Sequence, residues 1–294
     1  METREEAFAR LRANLELTGL QEEAVAARQA SVRAAVGRRL TVADSFLTGS
    51  YRRQTLIRPL SRADVDIVIV LDRDYRKRGP RAVLDLVKNA LLAEYTKGTK
   101  ISRNGQAVTI TFSDFIVDVV PAFARPWWTT LDEESWEICD SGSDRWIATN
   151  PKRHVSISSK ANALHDGELV PRAKQLKAWN RAAGSPLRSF HLEALSWSIF
   201  GRWALWYHPQ ASDWGSARYF FKKARGKLRE PLHDPAGTGR DIGDYLHGSA
   251  LDEAVSKVES AFDRCQRADK AAKNGDLATM HEAYGRVFGD YYTN

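Results

Sequence analysis

The stretch DVDIVIVL, residues 64–71, predicts a β-strand with two carboxylates at its start. Because successive side chains of an extended chain point to opposite faces, Asp64 and Asp66 share one face with Val68 and Val70. Two ionised carboxylates this close repel each other and are costly to bury, so they need a compensating cation or a solvated strand end. The segment alone leaves two interpretations open: ligands for a divalent metal ion, or an ordinary solvated strand entry.

A second apolar stretch, DFIVDVVPAF at residues 114–123, predicts another strand with Asp118 in its middle. A lone charge at a buried strand position is costly, so Asp118 needs a partner. If this strand lies beside that of Asp64 and Asp66, three carboxylates converge and form the oxygen-rich ligand set that Mg²⁺ prefers. Two metal ions about 3.5–4 Å apart would then activate an attacking hydroxyl and stabilise the leaving oxygen.

A small-residue turn in SFLTGS, residues 45–50, precedes the first acidic strand. The backbone N–H groups around Gly49 and the hydroxyl of Ser50 are suited to hold phosphate oxygens. Most Gly-Ser pairs are ordinary turns, so this pair carries weight only because the two acids follow on the next strand. Nine basic residues between residues 52 and 81 either hold polyphosphate or form a solvated surface, and we expect the solvated surface for residues 73–81.

The N-terminal half mixes helices and strands. Apolar residues recur at helical spacing over residues 2–39, with a cap near Thr18 and Gly19, which predicts two helices or one kinked helix. Four short β-rich segments and one helix at about residues 81–95 then predict a mixed sheet with a covering helix.

The C-terminal half is predicted to be helical. A tryptophan-rich stretch holds Trp127, Trp128, Trp136 and Trp146, and residues 151–170 follow without a strong period. We interpret this region as a connection with a lobe boundary. Helical spacing returns beyond Pro171, interrupted by Pro and Gly clusters. The fold class is therefore α+β.

Composition sets further bounds. The chain has 294 residues, 44 Lys and Arg against 37 Asp and Glu, and a net charge of +7, which mildly favours an anionic partner. Its two cysteines, Cys139 and Cys265, form neither a disulfide framework nor a zinc cluster, and favour a reducing compartment. No stretch has the apolar length of a signal peptide or a membrane span, so we expect a cytoplasmic protein.

The order of these motifs resembles a known family. The Gly-Ser turn, the DVD strand and a later strand Asp are similar to the polymerase-β-type nucleotidyltransferase superfamily. The longer string GSYRRQTLIRPLSRADVDIVIVL, residues 49–71, resembles the bacterial cGAS/DncV-like nucleotidyltransferases (CD-NTases). Two further segments agree, QLKAWN at residues 175–180 and SFHLEAL at residues 189–195. The resemblance runs from about residue 40 to residue 250.

The resemblance implies a role for each matching residue. Gly49 and Ser50 would bind the triphosphate, and Asp64, Asp66 and Asp118 would be catalytic ligands of two Mg²⁺ ions, with Mn²⁺ as an alternative. Asp118 would also help to activate the attacking ribose hydroxyl. In the C-terminal half, Lys177 and Ser189 would contact the phosphates and Phe190 would stack on a base. Many relatives have Tyr at the position of Phe190, so stacking is kept here and a hydroxyl hydrogen bond is lost.

Without the resemblance, the residues of the C-terminal half would have ordinary roles. Lys177 would be a solvated helical lysine, Ser189 an N-cap and Phe190 a core side chain. His191 and Glu193 would be packing or pairing groups. The resemblance also implies a structural turn at Asp234 and Pro235.

The resemblance implies a polymerase-β-like lobe at residues 1–165, with an N-terminal helical spine, and a helical nucleotide-recognition domain at residues 166–294. The active site is expected in the cleft between them. The expected reaction joins nucleoside triphosphates into a cyclic di- or oligonucleotide with release of pyrophosphate. The expected substrates are ATP, GTP or both, with pyrimidine nucleotides as further candidates.

The resemblance further implies bacterial anti-phage signalling (CBASS), in which the product activates a separate effector. We expect a monomer without a membrane partner, and nothing indicates activation by nucleic acid. One alternative is a nucleotidyltransferase that modifies RNA or protein. An alternative of another class is a catalytically silent nucleic-acid-binding module, which the cluster of three acids disfavours.

Overall fold

The computed structural model describes residues 2–95, 99–125, 135–201 and 212–293. The chain forms two compact units, a sheet unit of Leu17–Ser156 and a helical unit of Met1–Glu16 with Ile157–Asn294. The functional boundary expected at residue 165 stays a prediction. Trp127 and Trp128 of the tryptophan-rich stretch lie outside the described residues.

The sheet unit is built on a mixed sheet, as predicted. Its strands are β1 Val42–Leu47, β2 Asp64–Leu71, β3 Lys100–Asn104, β4 Ala107–Thr111, β5 Ile116–Ala124, β6 Trp136–Asp140 and β7 Arg145–Thr149. The central strands β2 and β5 run parallel, and the path of neighbours is β1-β2-β5-β4-β3, with β6 paired to β5 and β7 paired to β6. The other pairs of these strands are antiparallel.

The two faces of this sheet differ in chemistry. One face carries the larger core, in which Val65, Ile67 and Val117 pack with side chains of two helices, α2 and α4. The other face carries the acids and then a small cluster around Val68, Ala122 and Trp136. The helices of this unit are α2 Gly19–Gly37, the short α3 Gly49–Arg52 and α4 Pro80–Leu92, with 3₁₀ turns at Leu60–Arg62 and Arg73–Arg78.

The helical unit gathers around aromatic side chains. Phe8 is buried and makes edge contacts with Trp214, Tyr284, Phe288 and Tyr292. Its helices are α1 Arg4–Leu15, α5 Pro151–Leu164, α6 Leu169–Ala182, α7 Ser189–Phe200, α8 Asp213–Lys227, α9 Gly248–Lys273, α10 Leu277–Phe288 and α11 Asp290–Thr293. The first residues of α5, up to Ser156, belong to the sheet unit. Within the described ranges, no helix combines the length and apolar character needed to cross a membrane.

Most predicted elements are confirmed, but the connecting region is helical, which was not predicted. Thr18 caps the second helix with a reciprocal capping box to Gln21, so the N-terminal segment is two helices. Residues 151–170 form α5 and begin α6, and the division between the two units falls among them, after Ser156. Asn150 caps α5 by accepting a hydrogen bond from the Arg153 N–H at 2.9 Å, and Pro151 opens it. The cap formed by Asn150 and Pro151 thus defines the start of α5, although the apolar residues of this helix recur with only weak helical periodicity.

The C-terminal part of the tryptophan-rich stretch forms two strands that were not predicted. Trp136 and Trp146 lie on β6 and β7, which form a hairpin in which Trp146 stands opposite Cys139. The sequence analysis missed these strands and β3. The fold class, α+β with a mixed sheet followed by helices, is confirmed.

Candidate active site

The three acids predicted from the sequence lie on one face of the sheet unit. Asp66 of β2 and Asp118 of β5 are direct register partners on adjacent parallel strands. Asp64 lies two residues before Asp66, and therefore on the same face, beside the start of β5. Asp64 is exposed, whereas Asp66 and Asp118 are partly buried. The condition set by the sequence, that the two acidic strands be neighbours, is met.

Asp118 has a defined hydrogen-bond partner. Thr109 stands opposite it on β4, and the Thr109 hydroxyl donates to Asp118 Oδ1 at 2.6 Å. Burial raises the pKa of Asp118, and the hydrogen bond from Thr109 opposes that rise. The sequence analysis did not identify Thr109, although its place in an apolar strand beside the acidic strand is a usable signal.

The turn at Gly49 closes against Asp66. Gly49 has φ +62°, a left-handed conformation that favours glycine, and a Cβ added there would lie 1.7 Å from Asp66 Oδ2. The preceding Thr48 N–H donates to the Asp66 carbonyl oxygen at 2.9 Å. The Gly-Ser turn and the DVD strand are thus in direct contact. Ser50 follows in the first turn of α3, where its carbonyl accepts the Thr55 N–H.

The donor chemistry of this face suits a hard divalent cation. Three carboxylates on adjacent strands supply the oxygen ligands that Mg²⁺ prefers while it keeps water and substrate oxygens in its other positions. In the part of the chain that the structure describes, no three His, Cys, Asp or Glu side chains lie close enough together to hold a metal ion by themselves. An ion at this face would therefore have to be completed by substrate and water.

The basic run that follows β2 is paired locally. Arg76 bonds Glu137 at 2.6 Å, Lys77 bonds Asp74 at 2.8 Å, and Arg81 lies 3.8 Å from Asp144. Arg73, Lys77, Arg78 and Arg81 are exposed, which agrees with the solvated surface expected for residues 73–81.

The predicted residues of the C-terminal half lie in the helical unit. Lys177 of α6 pairs with Glu193 of α7 at 2.6 Å, and its side chain is only 6% exposed. It is therefore not the solvated helical lysine expected without the family resemblance. Ser189 is exposed and is the first residue of α7 rather than its N-cap, which is Arg188. Phe190 is partly exposed, with its ring 6.1 Å from that of Trp197, so it is not a core residue.

The start of α7 is held by contacts that the sequence analysis missed. The buried Asn180 amide donates to the Leu187 carbonyl at 2.8 Å and accepts the Leu187 N–H at 3.1 Å. The Tyr245 hydroxyl accepts the Arg188 N–H at 2.8 Å. Ser189 and Phe190 therefore project from a fixed first turn.

Tyr245 follows a turn-rich segment, residues 232–243, in which a structural turn was predicted at Asp234 and Pro235. Asp234 accepts the Ala236 N–H at 2.9 Å and the Thr238 hydroxyl at 2.5 Å, and Asp241 accepts the Leu232 and Gly243 N–H groups. Asp234 thus organises a turn, as expected.

Comparison with protein families identifies this arrangement. The model of the Second Messenger Oligonucleotide or Dinucleotide Synthetase (SMODS) domain matches residues 1–162, more than half of the chain. The chain belongs to this family.

Two curated relatives of this SMODS protein are synthases. A probable cyclic nucleotide synthase of Bacillus cereus (strain VD146) is 23% identical over 276 residues, which cover 83% of this chain and 80% of the relative. A cyclic AMP-AMP-AMP synthase of Acinetobacter sp. is 31% identical over 160 residues, which cover 51% of this chain and 44% of the relative.

Solved structures share the fold. E. coli MS115-1 CdnC with ATP has a TM-score of 0.74 at 15% identity and covers 99% of both chains. Vibrio cholerae DncV with a linear intermediate has a TM-score of 0.68 at 19% identity, over 85% of this chain and 69% of that one. The prediction of a cGAS/DncV-like nucleotidyltransferase with a polymerase-β-like fold is confirmed.

Gly49→Ala in this SMODS protein is expected to lower turnover by about a hundredfold, because the added methyl must displace the Asp66 carboxylate. Initial rates of pyrophosphate release measure the loss. The matched control is Gly37→Ala in the same unit, where a Cβ meets nothing within 4 Å. Equal rates for Gly49→Ala and the parent would show that Asp66 takes no part in turnover.

Thr109→Val is expected to move the acidic limb of the pH dependence of kcat/KM to higher pH. Loss of the hydrogen bond lets the pKa of Asp118 rise further, so a smaller fraction of the carboxylate is ionised at a given acidic pH. Thr111→Val, an exposed position on the same face of β4, is the control and should keep the parent profile. An unchanged limb in Thr109→Val would contradict the assigned role of Asp118.

Proposed function

We propose that the protein joins nucleoside triphosphates into a cyclic oligonucleotide second messenger. A ribose hydroxyl of one nucleotide attacks the α-phosphorus of another, a P–O bond forms, and the bond to the departing pyrophosphate breaks. The same chemistry within the linear intermediate closes the ring. The observation that carries this proposal is the pairing of Asp66 with Asp118 on adjacent strands, with Gly49 packed against the Asp66 carboxylate.

Asp64, Asp66 and Asp118 would hold the divalent ions, two Mg²⁺ or Mn²⁺. When bound, such ions supply Lewis-acid polarisation of phosphate oxygens and lower the pKa of a coordinated hydroxyl. Asp118 has one oxygen engaged by Thr109, so we assign its other oxygen, Oδ2, to receive the proton of the attacking hydroxyl.

The remaining residues would bind and orient the nucleotides. Gly49 and Ser50 would place backbone N–H and hydroxyl donors at the triphosphate, and Lys177 and Ser189 would contact phosphate oxygens. Phe190 would stack on a base, for which its partial exposure is suited. These assignments rest on the resemblance together with the fixed first turn of α7.

The names of the relatives support an adenine-containing product. They include a cyclic AMP-AMP-AMP synthase and a cyclic AMP-AMP-GMP synthase, so ATP is the first substrate to test, followed by GTP and the pyrimidine nucleotides. We further propose that the protein works as a cytoplasmic monomer and that its product activates a separate effector in anti-phage defence.

The test is incubation of the purified protein with α-³²P-labelled ATP, GTP, CTP and UTP and Mg²⁺ or Mn²⁺, followed by phosphatase and thin-layer chromatography. A phosphatase-resistant product is expected from the parent. Asp66→Asn and Asp118→Asn should form less than about a hundredth as much, because each substitution removes a metal-ligand charge. Asp44→Asn, an exposed acid of β1, is the control and should keep activity.

Two outcomes would contradict the proposal. If Asp66→Asn forms as much product as the parent, the acids have no catalytic role. Label that enters added RNA or protein, with no phosphatase-resistant small product from the parent, would instead favour an enzyme that modifies macromolecules.

A further inference from the structure

Lys177 and Glu193 form an ion pair that is almost fully enclosed within the helical unit. Lys177 Nζ lies 2.6 Å from Glu193 Oε1, and the two side chains are 6% and 0% exposed. Another lysine–glutamate pair of the same length, Lys227 with Glu230, has side chains that are 46% and 59% exposed. A lysine–glutamate contact of this length therefore does not require burial, and the burial of the Lys177–Glu193 pair needs another explanation.

Stability is a weak reason to keep such a pair. Removing two charges from water is costly, and a well-packed apolar pair of similar volume is often at least as stable. Loss of either partner alone leaves a buried charge, which is unfavourable. A buried pair between α6 and α7 is thus better explained by what the lysine must do.

The pair lies next to the fixed start of α7. Glu193 follows Ser189 by four residues, so both lie on the same face of the helix, one turn apart. Asn180 follows Lys177 by three residues on α6 and bonds both backbone groups of Leu187. The same face of α6 therefore sets the position of the first turn of α7 and contacts Glu193.

We propose that Glu193 is a positioning residue for Lys177, which it keeps charged and in place to bind the triphosphate of a nucleotide. An ammonium group has three N–H donors and retains its charge when one of them meets a carboxylate. Glu193 itself does not touch the nucleotide. This inference rests on the proposed function, because it takes Lys177 as a phosphate-binding residue.

A double-mutant cycle tests the coupling in the full-length protein. Glu193→Gln is expected to raise the Kd of α,β-methylene-ATP with Mg²⁺ about tenfold, because the side chain keeps its size and loses its charge. Lys177→Met should raise the Kd at least as much. The double variant should bind no more weakly than Lys177→Met alone, since Glu193 acts through Lys177.

Three controls separate positioning from simple structural support. Glu230→Gln, in the exposed pair, should bind the analogue as the parent does. Adenosine, which has no phosphates, should bind the parent and Glu193→Gln equally in an NMR titration. Glu193→Asp keeps the charge and shortens the reach by one methylene, so it provides a second, conservative variant if Glu193→Gln does not fold. It should also weaken analogue binding and leave adenosine binding unchanged.

The proposal is overturned if Glu193→Gln binds the analogue as tightly as the parent, or if it weakens the binding of adenosine as much as that of the analogue. It is also overturned if the fold increases in Kd of the two single variants multiply in the double variant. Parent-like binding by Lys177→Met would overturn it as well and would remove Lys177 from the phosphate-binding residues. Failure of the proposed function itself has a separate signature, the absence of any cyclic product from the parent.

Discussion

The register between β2 and β5 is the constraint on which the site depends. It sets two carboxylates, those of Asp66 and Asp118, side by side at partly buried positions, where like charges repel each other, and burial raises the pKa of Asp118. The apolar remainder of both strands holds this register, because a slip of one residue would turn the acids into the larger core. Under the proposed function, a divalent cation would compensate this pair and would supply the Lewis-acid chemistry of phosphoryl transfer.

The two units fix the positions of their candidate site residues in different ways. The sheet unit places charges by register and uses close packing, because Gly49 leaves no room for a side chain beside Asp66. The helical unit fixes a helix start through Asn180 and Tyr245 and encloses Lys177 with Glu193. In both cases neighbouring groups fix the position of a side chain before substrate binds, which would lower the reorganisation needed during turnover.

Much of this could be predicted from the sequence, because the signals were local. The alternation in residues 64–71 and the isolated charge of Asp118 identified the acidic face, and the capping residues near Thr18 separated the first two helices. The sequence indicated Glu193 as a packing or pairing group, but its pairing with Lys177 and the hydrogen bond from Thr109 to Asp118 were not predicted, since both depend on contacts across helices and strands. The helix at residues 151–164 was missed because its apolar spacing is weak and its cap was overlooked.

The most direct measurement is a crystal structure with Mn²⁺ and a non-hydrolysable ATP analogue, with the ions located by anomalous scattering. The account predicts Mn²⁺ bound to carboxylate oxygens of Asp66 and Asp118. An ion that contacts the analogue but neither of these carboxylates would contradict the central claim that the β2–β5 register creates the catalytic site.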